Sequence, residues 1–168
     1  HGAKLLKKPH QAAAVMMASH LWWQMDTPRN AMQPQTHPLV RDEKRVLECL
    51  QKALRIANSC IDGRVTVDIF CHALDKYLYY YELGVDSVTA RYINSLVDLI
   101  TKGLEAHRDD SDVIRTPHGL VNAQTQPDAT RRHFVEQLRY IRQHKEAAAA
   151  AAAEDDAQVG GPDWSQVE

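Results

Sequence analysis

No apolar run in this sequence approaches the roughly 20 residues that a helix needs to cross a bilayer, which excludes a helical membrane span. No secretory signal is visible, and the chain opens on His1 rather than Met, so it reads as part of a longer protein. Charge of one sign is also missing, with 20 Lys and Arg against 22 Asp and Glu. Six of those acids lie in residues 146–168, which hold no base, and the remaining 16 acids leave the rest of the chain at +4. That excess is too mild and too interspersed for a nucleic-acid surface. Its one local cluster is Lys4, Lys7 and Lys8 in "KLLKK".

Cysteine is scarce. Cys49, Cys60 and Cys71 form an odd set with no close pair, which excludes a disulfide scaffold. There is no CxxC or HxxxC pattern to bind zinc locally, so buried reduced thiols and a cytosolic setting are expected. Nucleophile elbow, phosphate loop and HExxH are all absent. Cys71 and His72 are adjacent and cannot share one helical face. The sequence gives no support to an enzyme, a cofactor or a metal site.

Seven glycines and seven prolines leave few breaks, and the prolines fall mostly in two stretches. Apolar residues at 44% and charged residues at 25% are ordinary for a globular protein. Between the breaks the pattern is helical. "PHQAAAVMMASHLWW" predicts a helix over 9–23, with its proline in the first turn. Residues 24–40 read as a loop. Val46, Leu47, Leu50, Ala53, Leu54, Ala57, Cys60 and Ile61 recur at three and four, predicting a helix over 41–61. "IDGR" is a turn. A third helix over 65–83 carries the stripe Phe70, Leu74, Tyr77, Leu78 and Tyr81, and Gly84 stops it. A fourth is predicted over 87–105, capped by Asp86 and broadly apolar from Val88 to Leu104. A polar loop occupies 106–126. A fifth helix over 127–146 is anchored by Phe134, Leu138 and Ile141. Residues 147–168, seven alanines followed by acids and glycines, are expected to bury nothing and to form a disordered tail.

The fold class is therefore all-α. Helices two and three together have the size of a HEAT-type hairpin, four and five suggest a second hairpin, and helix one suits the second half of a preceding one. Stacked antiparallel hairpins make the C-terminal end of an α-solenoid, residues 1–146, followed by the tail. A compact five-helix bundle is the other packing this pattern allows.

"KLLKKP", "ASHLWW", "KRVLECLQKALRIANSCID" and "YLYYYE" followed by "DSVTARYINSLVDLI" resemble the C-terminal end of the large subunit of retromer, an endosomal coat of the vacuolar protein sorting-associated family. The resemblance runs through residues 3–104 and resumes at "RRHFVEQLRYIR". The loops 24–40 and 106–126 and the alanine tail depart from the family pattern. The resemblance implies a non-enzymatic scaffold built of HEAT-like hairpins, cytoplasmic and peripheral on endosomes. It implies that this region clamps a small subunit of metallophosphoesterase-like fold, while an arrestin-like subunit binds an N-terminal part absent here. Sorting nexins and actin-regulating machinery join through the assembled coat, which recycles cargo from endosomes and returns it to the Golgi. A generic helical-repeat adaptor and a regulatory domain of a larger enzyme are the alternatives.

On that reading, residues can be assigned to faces. Positions 16, 20, 23 and 24 share one helical face and 15, 18 and 22 another. Val15, Ala18 and Trp22 are expected in the core, and Met16, His20 and Trp23 against the small subunit. Tyr79 and Tyr80 lie off the core stripe near Lys76, and all three are placed on the same partner surface. Lys4, Lys7 and Lys8 are assigned to a homodimer contact, because two large subunits of the coat meet through their C-terminal regions.

Overall fold

The structure, a computed structural model, describes residues 7–25, 39–107, 127–153 and 162–167. These residues form five α-helices and no strand: α1 (Lys8–Ala18), α2 (Glu43–Ala57), α3 (Gly63–Glu82), α4 (Ala90–Ala106) and α5 (Pro127–Ala153), with short 3-10 turns at Ser19–Trp22 and Trp164–Gln166. The all-α architecture expected from the sequence is what is seen. Local chemistry explains the ends. Asp42 Oδ1 accepts a hydrogen bond from the Arg45 amide at 3.0 Å to cap α2, and Asp62 Oδ1 accepts from the Arg64 amide at 2.9 Å to cap α3. At the far end of α3 the chain reverses through Gly84, whose φ of 68° lies in the left-handed region.

Several boundaries shift from expectation for physical reasons. Helix α2 stops at Ala57 because the Asn58–Ser59 turn and the Asp62 cap take over, and Ile61, predicted on its apolar face, is fully exposed. Helix α4 starts at Ala90, after Thr89 rather than Asp86. Val88 is buried nonetheless, from the turn before the helix. The loops predicted at 24–40 and 106–126 lie mostly outside the described residues. The ends of the first are joined: the Gln24 amide donates to the Val40 carbonyl and the Asp42 amide to the Trp22 carbonyl, both at 2.8 Å.

Helix α3 is the centre. Ten of its residues are buried, including the whole predicted stripe Phe70, Leu74, Tyr77, Leu78 and Tyr81. Helix α1 packs on α2, α2 on α3, and α3 also meets α1, α4 and α5. Gly103 of α4 lets that helix approach closely: a Cβ there would sit 2.3 Å from Val67 Cγ2 of α3. Helix α5 lies chiefly against α3, so the expected hairpin of the fourth and fifth helices is not the pairing observed. The reason is polar as well as apolar. Thr130 donates to Asp68 (2.9 Å), Gln137 to the Cys71 carbonyl (2.7 Å) and to Asp75 (2.5 Å), and Tyr140 to Glu82 (2.7 Å). His133 sits 3.0 Å from Asp75. This ladder runs along both helices while Phe134 and Ile141 are buried between them.

The tail differs most from expectation. Helix α5 continues through its alanines to Ala153, and beyond it Trp164 and Val167 are buried, at 6% and 0% exposure. Of the three free thiols, only Cys71 is buried, and Cys49 and Cys60 are partly exposed.

Candidate partner-binding surface

The "SHLWW" segment ends α1 by tightening. After Ala18 the chain narrows to a 3-10 turn and then extends at Trp23, which bridges to Arg41. Consecutive side chains diverge by about 120° in such a turn, since it has about three residues per revolution. Each of the four residues Ser19, His20, Trp22 and Trp23 therefore finds its own neighbour.

Ser19 is fully buried. Its hydroxyl donates to the Met16 carbonyl at 2.5 Å and lies 2.8 Å from the Tyr80 hydroxyl. A serine has one proton to give, so Tyr80 is the donor in the second bond. Tyr80 is also fully buried, and burial pushes its phenol above the ordinary range. His20 stacks at a tilt on both Tyr79 (5.4 Å) and Tyr80 (5.6 Å). Its Nε2 lies 3.1 Å from Lys76 Nζ. The ammonium can only donate, so this imidazole is neutral with its proton on Nδ1. Burial first, and the Lys76 charge second, hold His20 below the usual imidazole value. The Tyr79 hydroxyl reaches the Met25 sulfur at 3.1 Å.

The tryptophans take a third course. Neither is in the core and neither is bare: both are half-buried, Trp22 under the guanidinium of Arg45 in the first turn of α2 and Trp23 under that of Arg41 just before the helix. Arg45 lies 4.4 Å above the Trp22 ring and Arg41 5.6 Å above the Trp23 ring. The expected split, with Trp22 inside and Trp23 outside, is thus not what the 3-10 turn produces.

His20, Lys76 and Tyr79 are brought together at a partly exposed surface, with Trp23 on the same segment. Met16 and Tyr80 are not at that surface. Met16 is 5% exposed and faces the core, and Tyr80 supports His20 from beneath. The apolar surface left open belongs instead to Met17 (60% exposed), Leu21 (70%) and Met25 (46%). Sequence reasoning missed these three, because helical spacing no longer relates them once the chain tightens after Ala18 and extends at Trp23. Lys7 and Lys8 are exposed at the start of α1, and Lys4 lies outside the described residues.

Chemically the segment and its neighbours offer three exposed apolar side chains, one ammonium and a neutral imidazole. Among the described residues no group of three or more His, Cys, Asp or Glu is placed to hold a metal ion, and no helix is long and apolar enough to cross a membrane.

The family model for vacuolar protein sorting-associated protein 35 matches residues 1–103. The protein of that name from Schizosaccharomyces pombe is 39% identical over 121 residues, which cover 72% of this chain and 13% of that protein. Vacuolar protein sorting-associated protein 35A of Arabidopsis thaliana is 41% identical over 107 residues, 60% of this chain and 12% of its own length. Protein 35B of the same plant is 35% identical over 126 residues, 70% of this chain and 14% of its own length. The chain thus spans between 12% and 14% of the length of these relatives.

Proposed function

The chain belongs to the family of vacuolar protein sorting-associated protein 35, and from that premise we propose that it is the C-terminal solenoid segment of a retromer scaffold subunit and clamps the coat's metallophosphoesterase-fold small subunit. It acts by binding rather than by catalysis. In the longer protein it supports the assembled coat on the endosome membrane, where the arrestin-like subunit, sorting nexins and actin-regulating machinery join elsewhere, and cargo is recycled or returned to the Golgi.

The observation that carries the clamp is the exposure of Met17, Leu21 and Met25 on the same short segment that sets His20 against Lys76 and Tyr79, with Met25 reaching Tyr79. Exposed methionine and leucine side chains, one of them against an aromatic ring already held in place, have the composition of an interface centre. His20, Tyr79 and Lys76 fix one another before a partner arrives, so little freedom is lost on binding. Trp23, half-covered by Arg41, extends the surface.

Titration calorimetry of this chain with the small subunit tests the reading. Binding is expected, and His20→Arg should weaken it by roughly 30-fold, about 2 kcal/mol, since the larger cation is forced against Lys76. Circular dichroism should stay unchanged. No binding by the parent chain, or full binding by the variant, overturns the clamp.

Lys7 and Lys8, with Lys4, form a second proposed contact, with another copy of the large subunit. Exposed ion pairs contribute under about 1 kcal/mol each and are screened by salt. Sedimentation of a longer chain should show a dimer that weakens with salt and dissociates when all three lysines are reversed in charge. A dimer indifferent to both changes leaves these lysines as a solvated face.

A further inference from the structure

Residues 162–167 lie on the helices as a ligand lies on a receptor. Trp164 enters an aromatic pocket, edge-on to Tyr81 at 5.2 Å and stacked on His144 at 4.6 Å, with Tyr140 at 6.2 Å. Three residues later Val167 is fully buried. Between these anchors the groove holds the segment by its main chain. The Tyr81 hydroxyl donates to the Asp163 carbonyl at 2.5 Å, and Asn94 Nδ2 donates to the Gln166 carbonyl at 3.0 Å. The segment shapes itself: the Asp163 carboxylate accepts from the Ser165 amide (3.1 Å), the Ser165 hydroxyl (2.6 Å) and Gln166 Nε2 (2.7 Å). None of these contacts requires the segment to be joined to α5. Beside it, an open cavity of about 450 Å³ over Gly84, Asp86 and Thr89 leaves room for a longer occupant.

We propose that this groove between α3, α4 and α5 is a docking site for short peptides of the form Asp-aromatic-x-x-aliphatic, occupied in cis by the chain's own residues 162–167, and that a partner carrying such a segment binds by displacing them. Two apolar anchors three residues apart set the specificity, and the hydroxyl and amide grips on carbonyls tolerate any residue between them. A contact of six residues opens far more readily than the helical core, which gives the competitor its opportunity. The cis segment competes as a tethered ligand, so an incoming peptide succeeds through better anchors or through linkage to a second contact.

The probe is a labelled synthetic peptide of residues 162–168, PDWSQVE, titrated by fluorescence anisotropy. The chain carrying Trp164→Ala should bind it roughly tenfold or more tightly than the parent chain, because the tethered competitor is weakened. The same peptide with alanine for tryptophan should bind neither. Equal affinity for both chains, or no binding to the variant, overturns the proposal. A second measurement uses the unaltered chain. The Trp164 and Val167 amides donate to the Pro162 (3.1 Å) and Trp164 (3.2 Å) carbonyls. Excess peptide should speed their hydrogen exchange, and the alanine peptide should not. Unchanged exchange at about millimolar peptide, the range of tethered effective concentrations, overturns the proposal whatever the variant chain does.

Discussion

Two aromatic regions of this molecule start from the same six residues, "YLYYYE", and reach opposite ends. On one side of α3, Tyr79 and Tyr80 carry His20, and Tyr79 reaches the exposed Met25 of the segment that also bares Met17 and Leu21. On another side, Tyr81 meets Trp164 and is covered by the chain's own last residues. Tyr77 takes a third direction and pairs with Tyr92 of α4 at 5.8 Å, where burial raises its phenol well above the ordinary range. The difference teaches what an apolar surface needs. Where the chain can fold back, it covers its aromatics internally. Elsewhere side chains as large as Leu21 stay in water, and that open apolar surface is where the proposed partner would dock.

The comparison can be broken most forcefully at Tyr80, which is fully buried beneath the open face. Tyr80→Ala should destabilise the fold by about 3–5 kcal/mol, as large-to-small changes at buried aromatics do. Urea melts would check this. A melt near the parent's, with small-subunit binding lost, would instead place Tyr80 in the interface.

Next in size is the open strip itself. Met17→Asp combined with Leu21→Asp should cost the small subunit about 2 kcal/mol of affinity by calorimetry. Stability should change by no more than about 0.5 kcal/mol, because neither side chain is in the core. A fold that melts early would show that these residues pack inside the chain.

The two tryptophans should respond alike. Trp22→Ala and Trp23→Ala each remove a half-buried indole under an arginine, so their stability losses should agree to within about 1 kcal/mol, the size of an exposed cation–π contact. A clearly larger loss for Trp22 would restore the inside and outside split that helical geometry alone suggests.

The smallest effect is pH-dependent. His20 in the folded chain holds its proton less well than in the unfolded chain, so the unfolded state binds more protons below the usual imidazole value. Stability is complete above about pH 6.5 and falls as the pH drops below it, levelling off under the folded value. His20→Asn should flatten that part of the melting curve. Lys76→Met should move the His20 titration upward in NMR, since a nearby cation is gone. An unmoved titration would mean that burial alone sets it.

Much of this was readable beforehand. The α3 stripe, the buried face of α2 from Val46 to Ala57, and the stop at Gly84 follow from periodicity and from glycine's left-handed freedom. The candidate site was read in part. His20, Lys76 and Tyr79 come together as expected, whereas Met16 and Tyr80 turn inward and Met17 and Leu21 outward. A regular wheel turned Met16 outward where the fold buries it, because the wheel gives relative angles, and its absolute orientation depends on which helix is the neighbour.

The sequence by itself determined the helices, the stop at Gly84 and the family, because these rest on local spacing and on order along one chain. Only the tertiary structure decided which way α5 lies and where the last residues go. The ladder from Thr130 to Tyr140 matches carboxylates on α3 that no periodicity within α5 announces. Trp164 stands alone among polar residues, and a single indole has no pattern. Its burial depends on Tyr81, Tyr140 and His144 meeting at one point, which packing alone arranges.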